Sequence, residues 1–252
     1  MSDLARAESD PLAHFTPATC AWFRSAFSAP TAVQAEAWAA IGAGQNALVI
    51  APTGSGKTLA AFMQAIDQLF RERETQAESP AKPSQRVTRI LYISPIKALG
   101  ADVQRNLRVP LHGITAQRER RGDAAVEISV GMRTGDTPSN ERARLLRRPP
   151  DILITTPESL YLMLTSRARE TLRGVQTVIV DEVHAVAGGK RGSHLALSLE
   201  RLDALLSVPV QRVGLSATVR PVELVAQFLG GQRPVTVVTP SSLRTFDLRF
   251  DV

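Results

Sequence analysis

Residues 47–58 read ALVIAPTGSGKT, and the order of residue types along this stretch decides the fold. The apolar run at its start suits a strand buried on both faces. Gly54 and Gly56 then allow a tight turn whose successive N–H groups point at one spot, an anion cradle. The residues that follow, Leu59, Phe62, Met63, Ile66, Leu69 and Phe70, fall on one helical stripe. Strand, glycine turn and helix in that order form a phosphate-binding loop, with the helix N-terminus adding its dipole to the attraction. Lys57 is expected to reach the β- and γ-phosphates of a nucleotide, and the Thr58 hydroxyl to ligate Mg²⁺. Thr53 and Ser55 complete the loop, and Ala51 stands where the general pattern has its first glycine.

Outward from this stretch, short Val- and Ile-rich runs alternate with amphipathic segments. Strands are expected at 47–51, 90–94, 126–130, 152–155, 175–180, 210–215 and 235–238. A second leucine stripe, Leu195, Leu199, Leu202 and Leu206, marks another helix. Such alternation means an α/β domain with a mostly parallel sheet and helices on both faces. Ligands of such sheets bind at the carboxyl ends of the strands. At one of these ends stand Asp181, Glu182, Val183 and His184. The Asp181 carboxylate is placed to hold Mg²⁺ opposite Thr58, and Glu182 to orient and deprotonate an attacking water. Residues 71–88, polar with two prolines, read as a surface loop, and residues 1–14 as weakly ordered. The tail TFDLRFDV, within 241–252, alternates like a strand or a linker.

Composition narrows the class. The net charge is +6, with its surplus in residues 71–148, where 16 basic side chains meet 9 acidic ones. That favours polyanions, although an Arg-rich helical surface has the same composition. A lone cysteine, Cys20, excludes an internal disulfide framework and suits a reducing compartment. No apolar run is long enough to span a membrane, and the first residues lack a secretory pattern.

With these residues in place a resemblance emerges. APTGSGKT, DEVH and Ser216-Ala217-Thr218 resemble motifs I, II and III of superfamily 2 helicases, in the right order. SPIKALGADVQ at 94–104 is similar to motif Ia, RTGDT at 133–137 to the GDT element, TTPESL at 155–160 to motif Ib, and Pro30 to Gln34 to the adenine-reading Q motif. The subfamily most resembled is that of the large helicase-related (Lhr) proteins of bacteria. The resemblance implies a RecA-like P-loop NTPase domain over 15–240, the first of two such domains. It implies ATP and Mg²⁺ as cofactors and a cytoplasmic, nucleoid-associated setting. It also implies that Gln34 reads adenine while Phe15 or Phe27 stacks on it. His184 would link the nucleotide to Ser216 and Thr218. Ser94, Lys97, Arg133, Thr134, Thr137 and Thr156 would hold the backbone of single-stranded DNA. Arg191-Gly192 matches a pattern of related helicases without an assigned role.

The second RecA-like domain, which would supply an arginine finger, matches nothing after Thr218. The chain is therefore expected to be part of a larger 3′-to-5′ helicase that acts on DNA or RNA:DNA hybrids in repair, and to be nearly inactive alone. Other P-loop ATPases, such as AAA+ or ABC proteins, lack both the Q-motif glutamine and the Ser-Ala-Thr element. A non-catalytic binding module would not need Lys57, Asp181 and Glu182 together.

Overall fold

The computed structural model describes residues 10–78 and 86–240. Strand β1 (Asn46–Ile50) is buried along its whole length, so its alternate side chains must enter two different cores. They do: Ala47 and Val49 join one hydrophobic cluster, Leu48 and Ile50 the other. The same alternation runs through β2 (Ile90–Ile93), β4 (Ile152–Thr155) and β5 (Thr177–Val180). With β3 (Val130–Arg133), β6 (Gln211–Ser216) and β7 (Val235–Val238) they form a sheet in the order β3-β4-β2-β5-β6-β1-β7. Every recorded pairing is parallel.

Helices divide by face. Residues of α1 (Pro17–Ala26), α2 (Ala32–Gly42), α3 (Lys57–Glu78) and α4 (Lys97–Arg121) fill the first cluster. Those of α6 (Pro157–Leu164), α7 (Val183–Val186), α8 (Lys190–Leu205) and α9 (Val222–Gly230) fill the second. The short α5 (Ser139–Arg147) leads from β3 to β4. Chain direction explains the split. From β1 to β2 and on to β3 the sheet is built one way, and from β4 to β5 and β6 it is built the other way. A right-handed crossover puts the connecting helix on opposite faces for opposite directions of travel.

Three expectations need correction. Residues 71–78 continue α3 instead of forming a loop, although the apolar stripe ends at Phe70. Arg, Glu and Gln are good helix formers, and in this helix they find partners. Arg71 bonds Asp67 at 3.0 Å, Arg73 pairs with Asp151, Glu74 accepts from Arg118 at 3.0 Å, and Glu72 accepts from Gln176 at 2.6 Å. Residues 79–85 lie outside the described residues. Strand β3 begins at Val130, not Val126, because its partner β4 begins only at Ile152, after Pro149 and Pro150. Proline offers no ladder N–H. Val126 and Ile128 still pack against the core, while the Asp151 carboxylate accepts the Ser129 N–H at 2.8 Å. Residues 10–14 form a turn, with Leu12 buried and Arg24 bonding Asp10 at 2.6 Å. The rest of the expected weakly ordered start, 1–9, and the expected terminal strand, 241–252, lie outside the described residues.

At the other end of the strands from the nucleotide motifs, Arg212 on β6 is buried to 1% exposure. Its guanidinium donates to the Leu229 carbonyl at 3.0 Å, Glu200 at 2.9 Å and Asp203 at 2.5 Å. Arg212→Met leaves those acceptors short of a donor and is expected to cost about 3 kcal/mol of folding stability. Urea denaturation measures this, and an unchanged midpoint would show the cluster to be dispensable.

Candidate active site

The turn after β1 has the conformation its glycines permit. Gly54 lies at φ +80° and Gly56 at +84°, where other residues are strained. A Cβ on Gly56 would sit 2.6 Å from the Gln34 side-chain amide nitrogen, so this glycine is also needed for a close approach. Gln34 comes there because Thr31 caps α2 reciprocally. The Gln34 N–H donates to the Thr31 hydroxyl oxygen at 3.3 Å, and the Thr31 N–H donates to Gln34 Oε1 at 3.0 Å. The Thr31 hydroxyl in turn donates to the Ser55 carbonyl at 3.2 Å. The Q-motif residues therefore brace the phosphate loop from behind. Lys57 opens α3 and is buried, Thr53 and Gly54 are exposed, and Ser55, Gly56 and Thr58 are half-buried. The Ser55 hydroxyl is buried without a hydrogen-bond partner.

The acidic element stands two strands away, beside the last residues of β1. Leu48 and Val180 are both in register with Gly214 on the intervening β6. Asp181 thus lies level with Val49 across two strand spacings, about 10 Å. Ala51, the first residue of the phosphate loop, donates its N–H to the Ser216 carbonyl at 3.1 Å, tying motif I to motif III. Asp181 is 7% exposed and its orientation is fixed. One carboxylate oxygen accepts the Glu182 N–H at 2.9 Å and the other accepts the Tyr92 hydroxyl. Burial first, then the Asp181 charge, pushes the Tyr92 phenol far above its usual range, so it stays a donor. Glu182 has φ 46°, the sole left-handed non-glycine among the described residues. Such a conformation costs about 1 kcal/mol, and strain of this kind gathers at functional sites. Its carboxylate lies 3.3 Å from His184 Nε2, and His184 Nδ1 lies 3.1 Å from the Ser216 hydroxyl. Thr218, expected to share that role, is exposed and makes no hydrogen bond with His184.

Of the two aromatics, Phe15 is buried against Trp38, their ring centroids 5.1 Å apart. Phe27 is 43% exposed and lines a cleft of about 280 Å³ together with Gly56, Thr58 and Phe62.

The strand ends on the other half of the sheet carry the remaining motifs. Arg133, Thr155 and Ile93 are in register at the ends of β3, β4 and β2, so the three following loops lie side by side. Their hydroxyls are largely internal. Ser94 donates to the Ile96 carbonyl at 2.9 Å, Thr137 accepts the Thr134 N–H at 2.8 Å, and Thr156 caps α6 by accepting the Ser159 N–H at 3.4 Å. Ser94, Thr134, Thr137 and Thr156 are all buried. Arg133 is half-buried, and burial followed by the neighbouring Arg142 charge holds its guanidinium pKa below the usual value. Lys97 is the first residue of α4, a helix that starts without a side-chain cap.

A domain whose parallel strand ends present a phosphate loop, an acidic pair and a Ser-Ala-Thr element belongs to the P-loop ATPase class. The DEAD/DEAH box helicase profile matches residues 31–225, and the chain belongs to that family. Within it the similarity runs to Lhr proteins. The chain is 65% identical over 238 residues to the Lhr helicase/uracil glycosylase of Escherichia coli K12, covering 94% of this chain and 15% of that protein. The structure of Mycobacterium smegmatis helicase Lhr bound to ssDNA and AMP-PNP matches with a TM-score of 0.86 and 61% identity, over 95% of this chain and 29% of that one. The DEAD-box helicase Mss116, bound to ssRNA and UDP-BeF, shares the fold alone, with a TM-score of 0.71 at 16% identity over 89% of this chain and 43% of that one. The chain therefore spans a small part of the relatives it matches. Among the described residues no helix is long and apolar enough to cross a membrane.

Sequence reasoning passes over Tyr92 and the part Thr31 plays as a brace. The signal for Tyr92 is a lone phenol inside the buried run ILYI, whose hydroxyl has to find a partner. Tyr92→Phe keeps the ring stacked on Phe62, 5.2 Å between centroids, but strips a donor from Asp181. A stability loss of about 2 kcal/mol is expected, as for a buried hydrogen bond to a charged group. Equal urea midpoints for the two proteins would remove the phenol from the network.

Proposed function

We propose that this chain is the ATP-binding half of a motor that couples ATP hydrolysis to 3′-to-5′ movement along single-stranded DNA, unwinding DNA or RNA:DNA hybrids in repair. The observation that carries the reading is the placement of Asp181 and Glu182 two strands from the end of β1, where the phosphate loop leaves, with Glu182 joined through His184 to Ser216. In this reading the N–H groups of residues 53–58 and the Lys57 ammonium cradle the phosphates, and the orphaned Ser55 hydroxyl acquires a partner there. Gln34 reads the adenine edge and Phe27 supplies the stacking face, because Phe27 is exposed beside the loop while Phe15 is not.

The side chains fit Mg²⁺ held mainly by phosphates and water. Thr58 offers a hydroxyl and Asp181 a fixed carboxylate, and among the described residues no three His, Cys, Asp or Glu side chains form a metal cluster of their own. Bound there, the ion would neutralise charge on the phosphate oxygens. Glu182 orients and deprotonates the attacking water, and its contact with His184 passes the state of that site to Ser216 and motif III.

Strand binding falls to the three adjacent loops. Arg133 and Lys97 supply charge, and the uncapped start of α4 supplies N–H groups. Ser94, Thr134, Thr137 and Thr156 shape these loops with their hydroxyls and reach phosphates through what remains of their bonding capacity. A second RecA-like domain supplies the arginine finger, typically worth about 10³–10⁵ in rate. The isolated chain accordingly hydrolyses ATP very slowly.

Two variants in the full protein that carries this chain test the assignment. Lys57→Ala is expected to lower DNA-stimulated ATPase by about 10²-fold or more. Glu182→Gln is expected to keep ATP affinity and accumulate bound, unhydrolysed ATP. Near-normal turnover in either variant contradicts the role assigned to that side chain.

A further inference from the structure

The Arg191-Gly192 pair follows the acidic element without an evident part in nucleotide or strand binding, yet the structure gives it three contacts. Arg191 stands at the start of α8. Its Nε donates to Glu158 Oε1 at 2.5 Å, and its Nη2 donates to Glu158 Oε2 at 3.3 Å and to the Pro95 carbonyl at 2.7 Å. Pro95 belongs to the loop after β2, and Glu158 to the first turn of α6 after β4. Both lie in segments that flank the strand-holding residues of the proposed function. The Arg191 guanidinium also pulls the Glu158 carboxyl below its usual range, first through the hydrogen bond.

The third contact lies behind Arg191. A Cβ on Gly192 would sit 2.2 Å from the Val186 carbonyl oxygen and 3.0 Å from that of Ala187. Only glycine lets α8 start this close to the end of α7, and α7 begins directly after Glu182. Asp181, Glu182, α7 and Arg191 are therefore one short, tightly packed piece of chain. The close approach of Gly192 to the Val186 carbonyl couples the position of the guanidinium to that of α7.

We propose that Arg191 is a positioning residue: a latch that fastens the motif Ia loop and the motif Ib helix to the segment carrying the catalytic acid pair. It acts through Glu158 and Pro95. The side chain spans the division of the sheet between the nucleotide strands β5, β6 and β1 and the strand-holding β2, β4 and β3. A planar fork with several fixed donors suits this, because one group must satisfy a carboxylate and a backbone carbonyl together. Lysine carries the charge but lacks the fork.

The latch rests on the proposed function, so its test has to separate the two. In the full protein, ATPase is measured against ssDNA concentration for wild type, Arg191→Ala, Arg191→Lys, Arg191→Glu, Glu158→Arg and the Arg191→Glu/Glu158→Arg reversal, with melting temperatures as a folding control. Arg191 is 43% exposed in its side chain, so the fold should tolerate these changes. The ssDNA concentration for half-maximal stimulation is expected to rise about tenfold in Arg191→Ala, within the range seen for residues that couple distant sites. The ATP KM without DNA is expected to stay put. Lysine should recover part of the loss, and the reversal should outperform either of its single charge changes. Half-saturation within twofold of wild type in Arg191→Ala, or a reversal no better than its components, overturns the latch. If wild-type ATPase does not respond to ssDNA at all, the proposed function fails instead.

Discussion

Seven parallel strands end within two residues of one level, and that constraint organises the rest of this protein. Backbone pairing from β5 through β6 to β1 sets the residues that follow β5 beside the last residues of β1, on either side of the central strand. The phosphate loop leaves from one end and the acidic pair from the other. Neither element contains the information to find its counterpart, since more than a hundred residues separate them in the chain. Register supplies it, and register is held by burial. A slip of one residue would turn Leu48, Ile50, Val178 and Val180 towards the wrong core.

A division of labour follows from strand order. The three strands on one side of β5 lead into loops with hydroxyl residues, Arg133 being the last residue of β3. On the other side β1 ends in the phosphate loop and β6 in the Ser-Ala-Thr element, and β5 itself ends in the acidic pair. Helix placement reinforces the division, because the reversal in chain direction that sets the strand order also sends α3 and α4 to one face and α6, α7 and α8 to the other. The acidic pair is the point from which both sides are reached. Asp181 is held by Tyr92 of β2, His184 meets Ser216 of β6, and Arg191 meets the loop after β2 and the first turn of α6.

Much of this is legible in the residues. Buried parallel strands are continuous Val and Ile runs, so six of the seven strands fall within a residue or two of where those runs put them, and the phosphate loop is plain from its flanking strand and helix. Failures come where neighbours decide. Strand β3 starts later than its own apolar pattern suggests, because proline in the partner's approach determines where pairing begins. The polar end of α3 reads as a loop to any reasoning based on apolar periodicity, and its helix is secured by ion pairs with residues far along the chain. At the candidate site, residue type singles out Lys57, Asp181 and Glu182 as the residues to test. It cannot announce that Ser94, Thr134, Thr137 and Thr156 spend their hydroxyls inside their own loops, nor that Tyr92 and Arg191 act on other side chains.

A crystal structure of this chain with Mg²⁺ and a non-hydrolysable ATP analogue tests the central claim most directly. The account predicts triphosphate oxygens on the N–H groups of residues 54–58, with the metal between the Thr58 hydroxyl and the Asp181 carboxylate. Density for the analogue anywhere else, or a metal out of reach of Asp181, would contradict it.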